Sequence, residues 1–318
     1  MSIKHAHRIQ PVIGLMLVAS ASLVFAQQPA ATLTSRQLKP NVWEVEGGGG
    51  NSTIVVGTNG VIVVDAKTTA DQGKQLVAEV AKITPKPITT VFLTHSDGDH
   101  VNGLAGFPAG VKIIAHQNDK KELETALAAG GRGAPPADRL PTQVTTSTKE
   151  TLTIEGIRVE AYHWGPAHTS GDLIVFFPDQ KVAATGDVIA ANRADDNPNI
   201  HLEKNGSTSG WITNVAEMVK LDADMYVPGH GPMQTKADIQ NKLKVTQAKR
   251  ALIETMVKQG KTLDEIKAAI PASPPPAPAG AAPAAAPAGA APAAAPAAGR
   301  GGPAVGYTDW VYQELTKK

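Results

Sequence analysis

The chain has 318 residues, no cysteine, and 30 basic against 29 acidic residues. A protein without cysteine has no disulfides, so its folded part must be held together by its own apolar core. The balanced charge gives no reason to expect binding to nucleic acid or to an anionic membrane. These two function classes are therefore not expected.

Residues 1–26 have the features of a secretory signal peptide. Lys4 and Arg8 precede an apolar run over residues 11–25, and Ala26 stands before a polar break. This run is short for a bilayer span, although a retained membrane anchor is the alternative interpretation. Removing this segment leaves 28 basic against 29 acidic residues, a net charge near −1. We predict an exported, periplasmic protein with no membrane contact after signal cleavage.

The globular domain is expected over residues 27–270, and its strands fall into two groups that are each followed by helices. Apolar and β-branched runs predict strands at 42–46, 52–57, 61–65, 90–94, 111–115, 151–154, 157–162, 173–177 and 182–184. Helical patterns lie at 70–83, 117–129, 211–221 and 235–258. This order favours an α/β fold whose sheets are covered by helices over a plain Rossmann alternation.

Residues 271–305 are almost entirely proline, alanine and glycine. Such a segment cannot bury enough apolar surface to offset its ordering entropy, so we expect a disordered insertion. A partner-binding role for it is the alternative. Residues 306–318 contain an amphipathic pattern and predict a C-terminal helix that returns to the domain.

The segment Thr94-His95-Ser96-Asp97-Gly98-Asp99-His100 directly follows an apolar strand. Two histidines and two aspartates within six residues offer several nitrogen and oxygen donors to one or two metal ions. The strand end is also where α/β proteins commonly place ligand sites. A solvated polar turn is the alternative interpretation of this segment.

Three further segments each carry one donor residue in a small-residue turn. His168 lies in the turn after Gly165, Asp187 follows Thr185-Gly186, and His230 lies between two glycines. Each donor is expected at or near the end of a strand, and none falls inside a helical pattern. This concentration favours a metal site over scattered surface histidines.

The order of these motifs resembles the metallo-β-lactamase superfamily, whose pattern is His-x-His-x-Asp-His, then Gly-x-x-His-Thr, then Gly-Asp, then Gly-His-Gly. The resemblance covers residues 95–230 and, with flanking strands and helices, most of residues 35–270. It implies a four-layer αββα sandwich and a metal-dependent hydrolase of small molecules. Hydroxide held by two divalent ions would attack an ester, lactone, thioester, amide or phosphodiester bond.

The same resemblance implies seven metal ligands, with zinc as the expected metal and no organic cofactor. The first ion would be held by His95, Asp97 and His168. The second ion would be held by Asp99, His100 and His230, with Asp187 bridging the two ions. Asp99 would also be the catalytic residue that orients the hydroxide.

Asp97 departs from the family pattern, which usually has histidine at this position. A carboxylate coordinates zinc, but it is a harder ligand and adds negative charge. Manganese or iron therefore stay open as alternatives, as does a first site that binds no metal. From the ligand set alone, Asp97→His would be expected to bind zinc at least as tightly.

Besides a non-catalytic binding protein with a degraded site, two other functions stay open at this point. An antibiotic-degrading β-lactamase is one, although such enzymes usually carry cysteine or serine where this chain has Asp187. An iron-dependent oxidoreductase of the same fold is the other, because oxygen ligands suit iron.

Three further features receive weaker expectations from the sequence. His116 is expected at the surface, and His163 is expected to pack rather than to support a ligand. The glycine run 47–50 is expected to form a flexible hairpin turn, with a mobile lid as the alternative.

Overall fold

The computed structural model describes residues 32–130, 135–192, 197–270 and 306–317. The first of its two sheets contains β1 (Thr34–Lys39), β2 (Val42–Glu46), β3 (Ser52–Val56), β4 (Val61–Val64), β5 (Ile88–Phe92), β6 (Lys112–His116) and β7 (Gln143–Thr145). These strands are neighbours in chain order. The pairs from β1 to β4 are antiparallel and those from β4 to β7 are parallel.

The second sheet contains β8 (Lys149–Ile154), β9 (Ile157–Tyr162), β10 (Ile174–Phe177), β11 (Val182–Ala190), β12 (Met225–His230) and β13 (Gln234–Thr235). Its strand order is β13-β12-β11-β10-β9-β8. The pair of β11 and β12 is parallel, and the other pairs are antiparallel.

The helices connect these strands and cover the outer faces. They are α1 (Ala70–Ile83), α2 (Gly98–Val101), α3 (Gln117–Ala128), α4 (Thr208–Met218), α5 (Lys236–Lys258), α6 (Leu263–Ala269) and α7 (Tyr307–Thr316). A single 3-10 turn at Leu202–Lys204 precedes α4. Within the described ranges, no helix has the length and apolar character needed to cross a membrane.

Three apolar layers hold the sheets and helices together. Phe92 of the first sheet and Phe177 of the second belong to one buried cluster between the sheets. Leu76 of α1 packs under the outer face of the first sheet, and Trp211 of α4 packs under that of the second. Each fully buried side chain of this size stabilises the fold by roughly 2–3 kcal/mol. The layers run helix, sheet, sheet, helix, which confirms the predicted four-layer αββα sandwich.

Strand β11 is longer than the sequence predicts. The pattern suggests an end at Ala184, but the strand continues to Ala190, so Asp187 lies inside it rather than at its end. Gly186 has a φ of +51°, and the pairing of β11 with β12 shifts register on both sides of it. Glycine adopts a left-handed backbone angle freely, so it can continue an irregular strand where the apolar pattern of the sequence is interrupted. The pattern alone therefore predicts too short a strand.

The C-terminal helix α7 packs against α5 and α6. Val311 of α7 shares a buried cluster with Ile253 of α5 and Ile266 of α6. A helix is thus present where the sequence predicts one. Residues 1–26 and 271–305 lie outside the described residues, so the signal peptide and the disordered insertion stay predictions.

A carboxylate fastens α7 to the beginning of α4. Glu314 accepts hydrogen bonds from the Thr208 backbone N–H (2.8 Å) and from the Ser209 hydroxyl (2.7 Å). A negative charge at this end of a helix is favourable, because the first N–H groups have no partner within the helix. Burial alone would raise the pKa of Glu314, but these hydrogen bonds outweigh it and lower the pKa.

We therefore predict that Glu314→Gln lowers the free energy of unfolding by about 1–2 kcal/mol at neutral pH. The folded pKa lies below the ordinary value of 4.5, so the stabilisation is complete above that value and is lost as the pH falls through the folded pKa. Urea unfolding at neutral and acidic pH should show the difference shrinking in acid. Glu217→Gln, at a surface ion pair with Lys220 at the end of α4, is the matched control and should change the free energy of unfolding little. A difference that persists in acid would contradict the role of the charge.

Candidate metal centre

The His95–His100 segment lies between β5 and the short helix α2. Asp97 is the residue before α2, and its carbonyl accepts hydrogen bonds from the backbone N–H groups of His100 (2.9 Å) and Val101 (3.2 Å). These bonds turn the chain back on itself immediately after the strand. The turn thereby places four potential ligands within six residues of chain.

The structure brings all seven predicted ligands together in two groups. In each group, the potential ligand atoms lie within 4.8 Å of one another: His95, Asp97, His168 and Asp187 in the first, and Asp99, His100 and His230 in the second. We call these the first and second donor groups.

Asp187 stands between the two donor groups. Its Oδ1 lies 3.3 Å from His100 Nε2 and 3.5 Å from His230 Nε2. Its Oδ2 lies 3.9 Å from His168 Nε2. One carboxylate oxygen therefore faces each group, which is the arrangement a bridging ligand needs.

Three of the histidines have one ring nitrogen engaged outside the site and the other turned into it. The outer Nδ1 atoms of His95, His100 and His168 contact, in turn, Thr94 Oγ1 (2.9 Å), Asp65 Oδ2 (2.7 Å) and the Asn199 carbonyl (2.9 Å). Such outer contacts fix ring orientation and tautomer, and they are typical of metal-ligating histidines. The Nε2 atoms are thereby left to point at the donor groups.

The centre of the site contains buried polar atoms that have no hydrogen bond. His95 Nε2 and Asp187 Oδ1 are buried and lack a hydrogen-bond partner among the described residues. Leaving such an atom unsatisfied typically costs about 1–3 kcal/mol. Gly50 and Gly229 allow this crowding, because a Cβ there would lie 2.2 Å from the His100 ring and 1.9 Å from Asp187 Oδ1. Divalent ions would satisfy these atoms, so the residues fit such ions.

Opposite charges accumulate at this site. Burial raises the pKa of Asp187, but the imidazoles of His100, His230 and His168 outweigh it and hold the pKa far below its usual range. Burial lowers the pKa of His168, but Asp97 and Asp187 outweigh it and raise the pKa to about 9. Without divalent ions, protonated imidazoles therefore balance the carboxylates at neutral pH.

Asp65 is a supporting residue that the sequence motifs did not reveal. It follows β4 and adopts a left-handed φ of 62°. Its carboxylate accepts hydrogen bonds from the Thr94 backbone N–H (2.8 Å) and hydroxyl (2.7 Å), and it also contacts His100 Nδ1. Asp65 thus orients His100 and the residue before His95. An aspartate directly after a buried strand was the only signal that could have suggested it.

The glycine run 47–50 is fastened to the donor groups. The buried Lys67 ammonium donates hydrogen bonds to the carbonyls of Val45 (2.6 Å) and Gly50 (2.8 Å). The Gly50 N–H donates to the Asp99 carbonyl (3.0 Å). Burial lowers the pKa of Lys67 to about 7, against the opposing effect of nearby carboxylates. The run forms the expected turn between β2 and β3, and these bonds hold it against the site.

His201 is a second residue that the motifs did not assign. Its Nε2 lies 3.6 Å from Asp97 Oδ2, and its ring meets the His168 ring edge-on at 4.7 Å. It stands directly before the turn Leu202–Lys204. The structure thus places His201 beside the first donor group.

His116 and His163 lie together outside the donor groups. Their rings stack at 3.7 Å, and His163 Nδ1 contacts the Asp172 carbonyl at 2.8 Å. His116 is only 3% exposed, so the expected surface position is wrong. The residue begins α3 at the end of β6, and that junction is covered by the stacked ring of His163.

The charge state of the imidazoles predicts that metal binding releases protons. His168 is protonated below about pH 9, and a metal ion must displace that proton to bind its Nε2. Apparent zinc affinity should therefore rise as the pH increases towards 9, by about tenfold per pH unit for each displaced proton. Calorimetric zinc titrations in buffers of different protonation enthalpy would measure the zinc affinity and the number of protons released. A pH-independent affinity without proton release would contradict this prediction.

Comparison with known proteins identifies the family. The model of the metallo-beta-lactamase superfamily matches residues 45–230, which is more than half of the chain. The 2,4-dinitroanisole O-demethylase subunit alpha of Nocardioides sp. (strain JS1661) is 26% identical, covering 63% of this chain and 58% of that protein. The linear primary-alkylsulfatase of Pseudomonas sp. (strain ATCC 19151) is 23% identical, covering 65% and 47%. The chain thus spans about half the length of these two relatives.

Shorter relatives and solved structures agree. A metallo-beta-lactamase type 2 of Bacillus sp. (strain 170) is 24% identical, covering 67% of this chain and 82% of that protein. The structure of a metallo-beta-lactamase from Pontibacter korlensis matches with a TM-score of 0.56 and 20% identity, covering 68% and 99%. A sec-alkylsulfatase structure from Pseudomonas sp. matches with a TM-score of 0.62 and 19% identity, covering 75% and 45%. This chain belongs to the metallo-β-lactamase superfamily.

Proposed function

We propose that this protein is a hydrolase that requires two divalent metal ions, with zinc as the first candidate. The observation that carries the proposal is the convergence of seven nitrogen and oxygen donors into two groups that share Asp187. His95, Asp97 and His168 would hold the first ion, and Asp99, His100 and His230 the second. Bound ions of this kind lower the pKa of water and polarise the oxygen of a scissile group.

Asp99 is the proposed catalytic residue. Its side chain is 37% exposed, whereas that of Asp187 is 8% exposed, so Asp99 reaches the open side of the site. Burial raises its pKa, but the hydrogen bond to His230 and the charge of His100 outweigh it and lower the pKa. An ionised Asp99 can accept a hydrogen bond from the attacking water and orient it towards the substrate.

The substrate is proposed to be a small molecule with an ester-type bond next to an apolar group. A cavity of about 520 Å³ lies between the turn Leu202–Lys204 and α7, and His201 connects it to Asp97. Its lining is mixed: Ile200, Leu202 and Trp310 form an apolar part, and the remaining lining residues are polar or charged. The relatives named as an alkylsulfatase and a dinitroanisole O-demethylase subunit support a substrate with an apolar part. Esters, thioesters, lactones, phosphodiesters and sulfate esters are the bonds to test.

The relatives that are named metallo-beta-lactamases make antibiotic hydrolysis the second candidate function. A panel that includes β-lactams beside the ester-type substrates would decide between the two. Iron in the purified protein, together with oxygen consumption, would instead support the oxidoreductase alternative.

Export is proposed from the composition of residues 1–26 alone. Fractionation of cells that produce the full chain, with N-terminal sequencing of the product, would test it. A product that keeps Lys4 and Arg8 would contradict signal cleavage.

The proposed function predicts that His230→Ala loses bound metal and hydrolysis. Residues that only support a ligand typically affect metal affinity or activity by about 10–100-fold, so the loss of a ligand should exceed a hundredfold. His163→Ala removes the same side chain from the stacked pair outside the donor groups and is the matched control. Metal content and hydrolysis equal to the parent protein in His230→Ala would refute the ligand assignment.

The proposed cleft predicts a separate effect of Trp310→Ala. Removing the indole takes apolar contact from the cavity but no ligand from the donor groups, so KM should rise by about tenfold with metal content unchanged. Trp310→Phe retains an aromatic ring and should lie between the parent protein and the alanine variant. Steady-state kinetics on the best substrate of the panel would measure this. An unchanged KM would show that the substrate binds elsewhere.

A further inference from the structure

The carboxylate of Asp97 is held from two opposite sides. Its Oδ2 lies 3.0 Å from His168 Nε2 and 3.6 Å from His95 Nε2, so this oxygen belongs to the first donor group. Its Oδ1 accepts a hydrogen bond of 2.5 Å from the Lys204 ammonium. One oxygen is therefore available to an ion, and the other is already engaged by a cation.

Lys204 is fixed at this position by further contacts. Its Nζ also donates to Ser96 Oγ (2.9 Å), and its backbone carbonyl accepts from the Ser170 N–H (2.9 Å). The turn Leu202–Lys204 ends at Asn205, which has a left-handed φ of 55°. The Lys204 side chain is 30% exposed, so it is not a freely solvated surface lysine.

Glu122 completes the arrangement around the lysine. Its carboxylate accepts a hydrogen bond from the Ser96 hydroxyl and another from the Ser170 hydroxyl (2.6 Å). Because the Ser96 hydroxyl donates its hydrogen bond to Glu122, its oxygen is free to accept a hydrogen bond from Lys204. The turn that carries Asp97 and the turn that carries His168 are thereby joined through Glu122 and Lys204.

The charges explain why this lysine matters. The usual three imidazoles of the family carry no charge in their ligand form, whereas Asp97 brings one negative charge to the first donor group. We propose that Lys204 is the positioning residue of the first metal site: it fixes Asp97 as a one-oxygen ligand and cancels its charge. The aspartate and the lysine then act as a pair that replaces the usual histidine.

This inference rests on the proposed metal-dependent function, and it changes the expectation for Asp97→His. An imidazole in place of the carboxylate leaves the Lys204 ammonium without its anion and beside a divalent cation. Repulsion between these positive charges should weaken binding of the first ion, although the usual ligand set is restored. Removing the lysine as well should relieve this effect.

The experiment is a double-mutant cycle on zinc binding by the full chain. Lys204→Met should lower the affinity for one of the two ions by about 10–100-fold, as expected for a residue that supports a ligand. Asp97→His should also lower the affinity for that ion, and the double variant should bind the ion more tightly than Asp97→His alone. Competition with a chromogenic chelator measures both affinities. Lys220→Met, at an exposed ion pair just after α4, is the matched control and should bind zinc as the parent protein does.

Two results would overturn the proposal. One is a Lys204→Met variant that binds both ions with the parent affinities. The other is an Asp97→His variant whose affinity is not improved by removing the lysine. Lys204→Arg keeps the positive charge and should retain most of the affinity, which separates loss of charge from misfolding. Two bound ions, one of them dependent on Lys204, without hydrolysis of any substrate would refute the proposed function alone. Hydrolysis by a protein whose zinc affinity is unchanged in Lys204→Met would refute this inference alone.

Discussion

The burial of several carboxylates in one small volume is the constraint on which this site depends. An ionised carboxylate removed from water is costly unless opposite charge and hydrogen bonds compensate for it. Asp65 has His100 and the Thr94 groups, Asp97 has Lys204, and Asp187 has the imidazoles on both sides. Divalent ions would take over from the imidazolium protons, which relates metal binding directly to the charge balance of the folded chain.

Most of the fold and all seven donors could be predicted from the sequence, because the strands and the turns that carry the donors are each short contiguous segments. The strands from β2 to β6 and from β8 to β10 follow local apolar runs, and turns rich in small residues mark where donors leave the sheets. The segment from His95 to His100 illustrates the reason: its donors lie within six residues of chain, so their proximity requires no knowledge of tertiary structure. The two sheets then bring this turn to His168, Asp187 and His230.

The parts that escaped prediction depend on long-range contacts or on single backbone angles. Lys204 lies 107 residues after Asp97, and nothing in its neighbourhood separates it from other lysines. His201 reaches Asp97 across a similar distance in the chain. Asp187 was placed at a strand end because Gly186 interrupts the pattern, whereas the left-handed angle of that glycine allows β11 to continue. Local spacing carries no information on such contacts.

The C-terminal helix α7 contacts both the beginning of α4 and the cavity beside the first donor group. Glu314 binds the first turn of α4, whose neighbour Ser207 donates a backbone hydrogen bond to the Ala167 carbonyl, next to His168. Trp310 on the same helix lines the cavity that His201 connects to the first donor group. The donors come from turns that follow strands and from strand β11 itself, whereas the cavity is lined by a loop and a terminal helix. A substitution in that loop or in α7 can therefore change the lining of the cavity and leave every donor in place, because loops vary on a scaffold that positions the site.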